Sequence, residues 1–217
     1  ALNIPELTII TPAALQTEAE RVAQLHREEG LTVAVIEQEK IFNEFSSGTP
    51  DASAYRRLMK MFYDRAEGNE NVRPRYLLLF GDGSYNNRKS MEKLHSPGCN
   101  MLLTYQSKTS IDERESFVIE DYFGFLEDNS GEEIKVDKVC LGIGRFPISS
   151  IKNARLVVDK LYRYVHDKDF SSWKNNICIA ADDGDGAIHA EQADKGSDTL
   201  LLKNTSQPRL GFRVNKI

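Results

Sequence analysis

The sequence has few of the features that mark specialised classes of protein. No apolar run approaches the roughly 20 residues that span a bilayer, so we expect no membrane-spanning segment. Lys and Arg number 28 and Asp and Glu number 33, which leaves a formal charge of -5 and no basic surplus to neutralise nucleic-acid phosphates. The 3 cysteines include no CxxC pair, so a disulfide scaffold is not supported. These absences argue against a membrane span and a nucleic-acid partner, and favour an ordinary globular domain.

What the sequence does contain is an alternation of apolar strands with helices. The helices are roughly 12 to 18 residues long, and the clearest is SSIKNARLVVDKLYRYVHD, which Ser149 or Ser150 would cap. Strands that are apolar on both faces pair in parallel beneath helices on both sides. The sequence therefore predicts one α/β unit, a three-layer sandwich with a mostly parallel sheet. The predicted strands lie in ELTII, LTVAVIE, RYLLLFGDGS, FVIEDYFGFLED, KVCLGIGRFP, NNICIAAD and GFRVNKI.

Acidic, glycine-rich loops follow two of these strands, in FGDGSYNN and ADDGDGAIH. Ligands of open parallel sheets gather beyond the carboxyl ends of strands, so we expect Asp82, Asp182, Asp183 and Asp185 to lie on one rim. Carboxylates on turns bind hard cations, which makes a structural Ca²⁺ one interpretation. Asp and Gly are also the residues with which chains commonly leave a strand, so a structural turn is the other.

Arg145 follows a buried strand in GIGRFP, where an arginine must pair with a carboxylate or reach solvent. We expect it to pair with a neighbouring acidic loop, which would make GRFP and DDGDG two halves of one structural corner. Substrate binding is the alternative role for this arginine.

The sequence predicts no catalytic thiol within these residues. His95 and Cys99 lie four positions apart, but a long polar loop is a poor frame for the held Cys–His contact that activates a nucleophile. Cys140 and Cys178 lie inside apolar runs, where cysteine usually behaves as a small buried hydrophobe.

Taken in order, RYLLLFGDGSYN, VIEDYFGFLED, LGIGRFPISS and SSWKNNICIAADDGDGAIHAEQAD resemble the gingipain family of cysteine peptidases. The resemblance runs from about Pro5 to Ile217, and the motifs are specific as a set. It implies a caspase-like α/β domain of two subdomains. This chain would supply the first subdomain, about residues 1–172, and the start of the second, 173–217.

The resemblance also implies a mechanism and a candidate pocket residue. In the family a thiolate attacks the scissile carbonyl while the His of a His-Gly motif shuttles the proton, and no cofactor is required. This sequence has no His-Gly dipeptide, so we expect the dyad to lie outside the chain and the fragment to be inactive. In arginine-specific members an acidic residue three positions before the counterpart of His189 lines the substrate pocket. That position is Gly186 here, which leaves the adjacent Asp185 as the candidate.

Within the family, the motifs are most similar to those of the signal peptidase, or sortase, of type IX secretion. That implies removal of C-terminal signal domains from protein substrates, contact with secretion-system components, and export to the outer membrane or cell surface of a Bacteroidetes-type bacterium. Two alternatives remain open. One is a Mg²⁺-dependent phosphotransfer domain with Asp82, Asp182 and Asp183 as its acidic pocket. The other is a non-catalytic protein-binding module with an exposed edge at Gly211–Ile217.

Overall fold

The computed structural model describes residues 4–88, 101–109, 111–133, 136–169, 171–206 and 212–217. The chain forms two compact units, Ala1–Val165 and His166–Ile217. None of the helices within the described ranges is long and apolar enough to cross a membrane.

The first unit is built on a parallel sheet of four strands in the order β2-β1-β3-β4. Its strands are β1 (Leu7–Thr11), β2 (Val33–Glu37), β3 (Tyr76–Phe80) and β4 (Gly142–Phe146). Its helices are α1 (Gln16–Glu28), α2 (Gln38–Phe45), α3 (Ser53–Arg65) and α4 (Ile151–Val165). The parallel sheet that the two-sided apolar strands predict is therefore confirmed.

Apolar layers lie on both faces of this sheet, because successive strand residues point to opposite sides. On one face α1 and α4 pack over Leu7, Ile9 and Phe80. On the other face α2 and α3 pack over Ile10, Leu77 and Leu79. The three-layer α/β sandwich predicted from the sequence is confirmed in this unit.

The second unit is a parallel strand pair joined by one helix. It consists of β5 (Asn176–Ile179), α5 (Ile188–Ser206) and β6 (Arg213–Lys216), with Ile177 opposite Val214. The sequence predicts both strands, in NNICIAAD and GFRVNKI. Cys178, expected to be buried, is exposed, because alternate residues of β5 point to a face that no described residue of this unit covers.

Two parts of the first unit differ from the sequence-based expectation. The stretch FVIEDYFGFLED is not a strand: it makes one isolated bridge between Gln106 and Val118 and then a 3-10 turn at Asp121–Gly124. Four apolar residues of this stretch are buried without the alternation of a strand, namely Tyr122, Phe123, Phe125 and Leu126. Helix α2, which follows β2 directly, has no counterpart in the sequence-based assignment.

Two buried threonines of β1 should respond oppositely to the same substitution. Thr8 and Thr11 are both fully buried, but Thr11 donates a hydrogen bond to the Phe80 carbonyl (3.2 Å), whereas the Thr8 hydroxyl has no partner among the described residues. A buried hydroxyl without a hydrogen-bond partner lowers the free energy of unfolding, whereas a hydrogen-bonded one raises it. We expect Thr8→Val to raise the free energy of unfolding by about 1 kcal/mol and Thr11→Val to lower it by about 1 kcal/mol. Urea denaturation of the two variants measures both changes, and equal losses would contradict the expectation.

Candidate functional site

Three chain segments meet where β3 and β4 end. The Gly81 N–H donates to the Phe146 carbonyl (3.1 Å), and the Asp82 N–H donates to the Ile148 carbonyl (3.0 Å). The Leu102 N–H donates to the Asp82 carbonyl (2.7 Å), which brings in the segment that begins at Met101. The carboxyl edge of the sheet, where ligands of such folds gather, is thus a set of irregular segments tied to one another.

Arg145 at the end of β4 joins these segments through all five of its N–H groups. Its Nε and Nη2 donate to the two carboxylate oxygens of Glu120 at 2.7 and 3.1 Å. Nη1 donates to the carbonyls of Gly81 (3.2 Å) and Asp82 (3.3 Å), and Nη2 also donates to the Leu103 carbonyl (3.1 Å). Only a planar guanidinium offers five donors in this arrangement.

The partner of Arg145 corrects one expectation. The sequence predicts that GRFP pairs with the DDGDG turn, but the carboxylate that Arg145 bonds is that of Glu120, in the stretch VIEDYFGFLED. The Arg145 side chain is only 12% exposed, and all five of its donors bond groups of the first unit.

A second group of buried side chains holds the Met101–Leu103 backbone from the α2 and α3 side. The Gln38 Nε2 donates to the Met101 carbonyl (3.1 Å), and the Leu103 N–H donates to the Tyr55 hydroxyl (3.3 Å). Tyr55 in turn donates to the Gln38 Oε1 (2.7 Å). Complete burial raises the pKa of the Tyr55 phenol well above its usual value, so the hydroxyl keeps its proton and remains a donor.

Asp82 lies in a tight turn within this group. Its Oδ1 accepts a hydrogen bond from the Gly83 N–H (2.8 Å), which is the local bonding of a turn aspartate. Gly83 itself is required by close packing, since a Cβ there would lie 2.7 Å from Thr104 Cγ2 and 3.2 Å from Arg145 Nη1. The contacts of Asp82 are those of a structural turn residue.

The aspartates of the second unit lie on an exposed turn before α5. Asp182, Asp183 and Asp185 are all exposed. Asp185, Gly186 and Ala187 have φ values of 51°, 73° and 65°, in the left-handed region that favours glycine. In the described part of the chain no group of three or more His, Cys, Asp or Glu side chains could hold a metal ion. A structural Ca²⁺ at the acidic loops stays a prediction.

The cysteines do not form a recognisable nucleophile in the described residues. Cys140 is half-buried just before β4, with its Sγ 3.6 Å from the Lys138 carbonyl, and Cys178 is exposed. Neither has an imidazole as a hydrogen-bond partner there. The pair His95 and Cys99 lies outside the described residues.

The fluorescence of Trp173, the sole tryptophan of the chain, should report the protonation of Asp169 in the second unit. Its carboxylate accepts hydrogen bonds from the Trp173 indole (2.8 Å) and from Ser171, and these bonds lower its pKa to about 2. Because the folded pKa lies below the usual 3.8, the stabilisation is complete above about pH 4 and is lost as the pH falls towards 2. We expect Trp173 emission to stay constant from pH 7 to 4 and to change only below it. Asp169→Asn should abolish that step, and a wild-type transition near pH 5 would contradict the bonding.

Comparison with known proteins adds a family and two related folds. A model of peptidase family C25 matches residues 1–210. The crystal structure of dimeric latent PorU from Porphyromonas gingivalis is similar, with a TM-score of 0.69 and 42% identity over 80% of this chain. A second structure, described as a protease, has a TM-score of 0.55 and 13% identity over 82% of this chain, and so shows the fold alone. The chain covers 17% of the PorU chain and 32% of the other. No curated protein matches it.

Proposed function

The chain belongs to peptidase family C25, the gingipain family of cysteine peptidases, and on that basis we propose the function of its parent protein. The parent is an endopeptidase, or sortase, that removes C-terminal signal domains from type IX secretion cargo. The 42% identity to PorU over 80% of the chain carries this proposal, together with the motifs that resemble the signal peptidases. The corresponding partners are protein substrates and secretion-system components, at the outer membrane or cell surface of a Bacteroidetes-type bacterium.

The proposed chemistry is covalent acyl transfer. A thiolate attacks the scissile carbonyl, the tetrahedral oxyanion collapses, and the C–N bond breaks as an imidazolium gives its proton to the leaving amine. Water or another amine then releases the acyl group and regenerates the thiol. We assign the nucleophilic Cys and its His to the parent protein rather than to the described residues. This chain contributes the packed scaffold and the Arg145 junction.

Asp185 is the residue of this chain that we propose for the substrate pocket. It is exposed and stands next to Gly186, the position that matches the acidic pocket residue of arginine-specific members. In the parent protein, Asp185→Asn should raise KM for a substrate with Arg before the scissile bond more than for one with Ala. Equal effects on the two substrates would remove Asp185 from the pocket.

The function is tested by cleavage of a cargo protein that carries a C-terminal signal domain. We expect the parent protein to remove the domain and iodoacetamide to block the reaction. The 217-residue chain alone should not cleave it, and in the parent protein Cys99→Ala, Cys140→Ala and Cys178→Ala should each leave cleavage unchanged. Cleavage by the parent after complete alkylation would contradict a cysteine mechanism. Cleavage by this chain that any of these three substitutions abolishes would contradict the placement of the nucleophile.

A further inference from the structure

One edge of the extended segment Leu103–Ser107 is paired by a side chain instead of a strand. The Asn87 Oδ1 accepts from the Thr104 N–H (3.1 Å), and the Asn87 Nδ2 donates to the Thr104 carbonyl (2.6 Å). The amide group therefore makes the two hydrogen bonds that the backbone of a neighbouring strand would make.

At the next position along the same edge, the backbone has no hydrogen-bond partner among the described residues. On the opposite edge, the Ser107 N–H donates to the Phe117 carbonyl (3.0 Å) and the Ile119 N–H donates to the Tyr105 carbonyl (2.9 Å). These bonds flank the Gln106–Val118 bridge, so the backbone N–H and C=O of Gln106 point away from Val118, to the edge that Asn87 occupies at Thr104. Gln106 is exposed, and its backbone groups have no hydrogen bond to any described residue.

Space for side chains adjoins this edge on two sides. A cleft of about 500 Å³ is lined by Asp51 and Tyr105, and another of about 670 Å³ is lined by Phe117 and Val118. Asn87 and Gln106 line both clefts, whose volumes are in the range of ligand sites. Side chains of an added strand would alternate between its two faces and could therefore enter one cleft after the other.

The wall that carries this edge is held in place before any partner binds. Arg145 bonds the Leu103 carbonyl and Tyr55 bonds the Leu103 N–H. The Tyr105 ring stacks on Tyr122, with centroids 3.4 Å apart and planes at 5°. A preorganised surface loses less conformational entropy on binding, which favours the binding of an extended ligand that makes few contacts.

We propose that the Gln106 edge binds an extended segment of a protein substrate as an added strand. The peptide backbone accepts from the Gln106 N–H and donates to its C=O. An apolar side chain lies beside Phe117 and Val118, and a polar one lies beside Asp51. The inference rests on the proposed function, because an endopeptidase acts on polypeptide and strand addition is a common way of holding it.

The test measures binding without cleavage. The probe is a fluorescein-labelled octapeptide of alternating leucine and serine, titrated with the full chain by fluorescence anisotropy. Two counterparts are N-methylated on the odd or on the even residues. N-methylation removes the N–H donor, so we expect one of the two to bind about tenfold more weakly and the other to bind nearly as well as the parent peptide.

A pair of proline variants tests the same edge from the protein side. Gln106→Pro removes the N–H and should weaken binding by about five- to tenfold. Glu113→Pro is the matched control, since Glu113 is exposed at the second position of the Asp112–Glu115 turn, where proline is tolerated. Equal affinities of the three peptides, or of the two variants, would overturn the proposal. If Gln106→Pro does not fold, the peptides decide it on the unaltered chain.

The two proposals can fail separately. A chain that binds the peptide with the expected N-methyl pattern, from a parent that never cleaves cargo, retains the docking edge and loses the proposed function. A parent that cleaves cargo, with a chain that binds all three peptides equally, retains the function and loses the docking edge.

Discussion

Arg145→Ala should lower the free energy of unfolding of the first unit by about 3–5 kcal/mol, the largest loss that we expect from one polar residue. The substitution leaves the Glu120 carboxylate, 28% exposed, without its cation, and it leaves the carbonyls of Gly81, Asp82 and Leu103 without a donor. Removing one partner of a largely buried ion pair costs far more than the pair itself contributes, because the remaining charge stays desolvated. Urea denaturation followed by circular dichroism measures the change.

Two further variants make that result specific. Arg145→Lys keeps the charge but offers three donors instead of five, so its loss should lie between those of wild type and Arg145→Ala. Lys108→Ala breaks an exposed pair with Glu132 (2.8 Å) and should leave the unfolding midpoint nearly unchanged. If Arg145→Ala and Lys108→Ala behave alike, the junction at the end of β4 does not stabilise the fold.

Phe123→Ala should cost about 3–5 kcal/mol, as removal of a large buried aromatic side chain does. Phe123 is fully buried, and its ring lies 5.6 Å from that of Tyr55 and 5.8 Å from that of Tyr122. The substitution leaves a cavity beside the Tyr55 that bonds Leu103, and it loosens the 3-10 turn that follows Glu120. Thermal and urea unfolding should both shift.

The control for this substitution is Ile111→Ala. Ile111 is 96% exposed, so its truncation removes almost no buried surface and should change stability by less than about 0.5 kcal/mol. Phe123→Leu should recover part of the loss, because it refills some of the cavity. A loss below about 1 kcal/mol for Phe123→Ala would show that this layer is not packed around the ring.

The helices and parallel strands could be predicted because their signals are local. Apolar residues at three- and four-residue spacing predict helix α4, and its predicted cap is found where Ser150 Oγ accepts from the Asn153 N–H (3.1 Å). An apolar run that ends at Gly81 predicts strand β3. The sequence does not predict the 3-10 turn at Asp121–Gly124, because its apolar residues follow neither helical nor strand periodicity.

The candidate site was less accessible to sequence reasoning. The sequence singles out Asp82 and Arg145, but it does not indicate that Glu120 pairs with Arg145, or that Tyr55, Gln38 and Asn87 hold the neighbouring segment Met101–Thr104. The arginine itself is the clearest sequence signal for this site, since a buried guanidinium requires a carboxylate partner. Its position in the sequence does not say which of the 33 acidic residues supplies that carboxylate.

The sequence by itself determined the layered α/β architecture and the membership of peptidase family C25, because periodicity and motif order are properties of the chain read in one dimension. Only the tertiary structure decided that Arg145 bonds Glu120, 25 positions away, and that Asn87 pairs with Thr104 beside the Gln106 edge. Such contacts depend on where loops of unequal length return to the sheet. Packing and hydrogen bonding between distant segments determine where each loop rejoins the sheet, and no local pattern of residues encodes these positions.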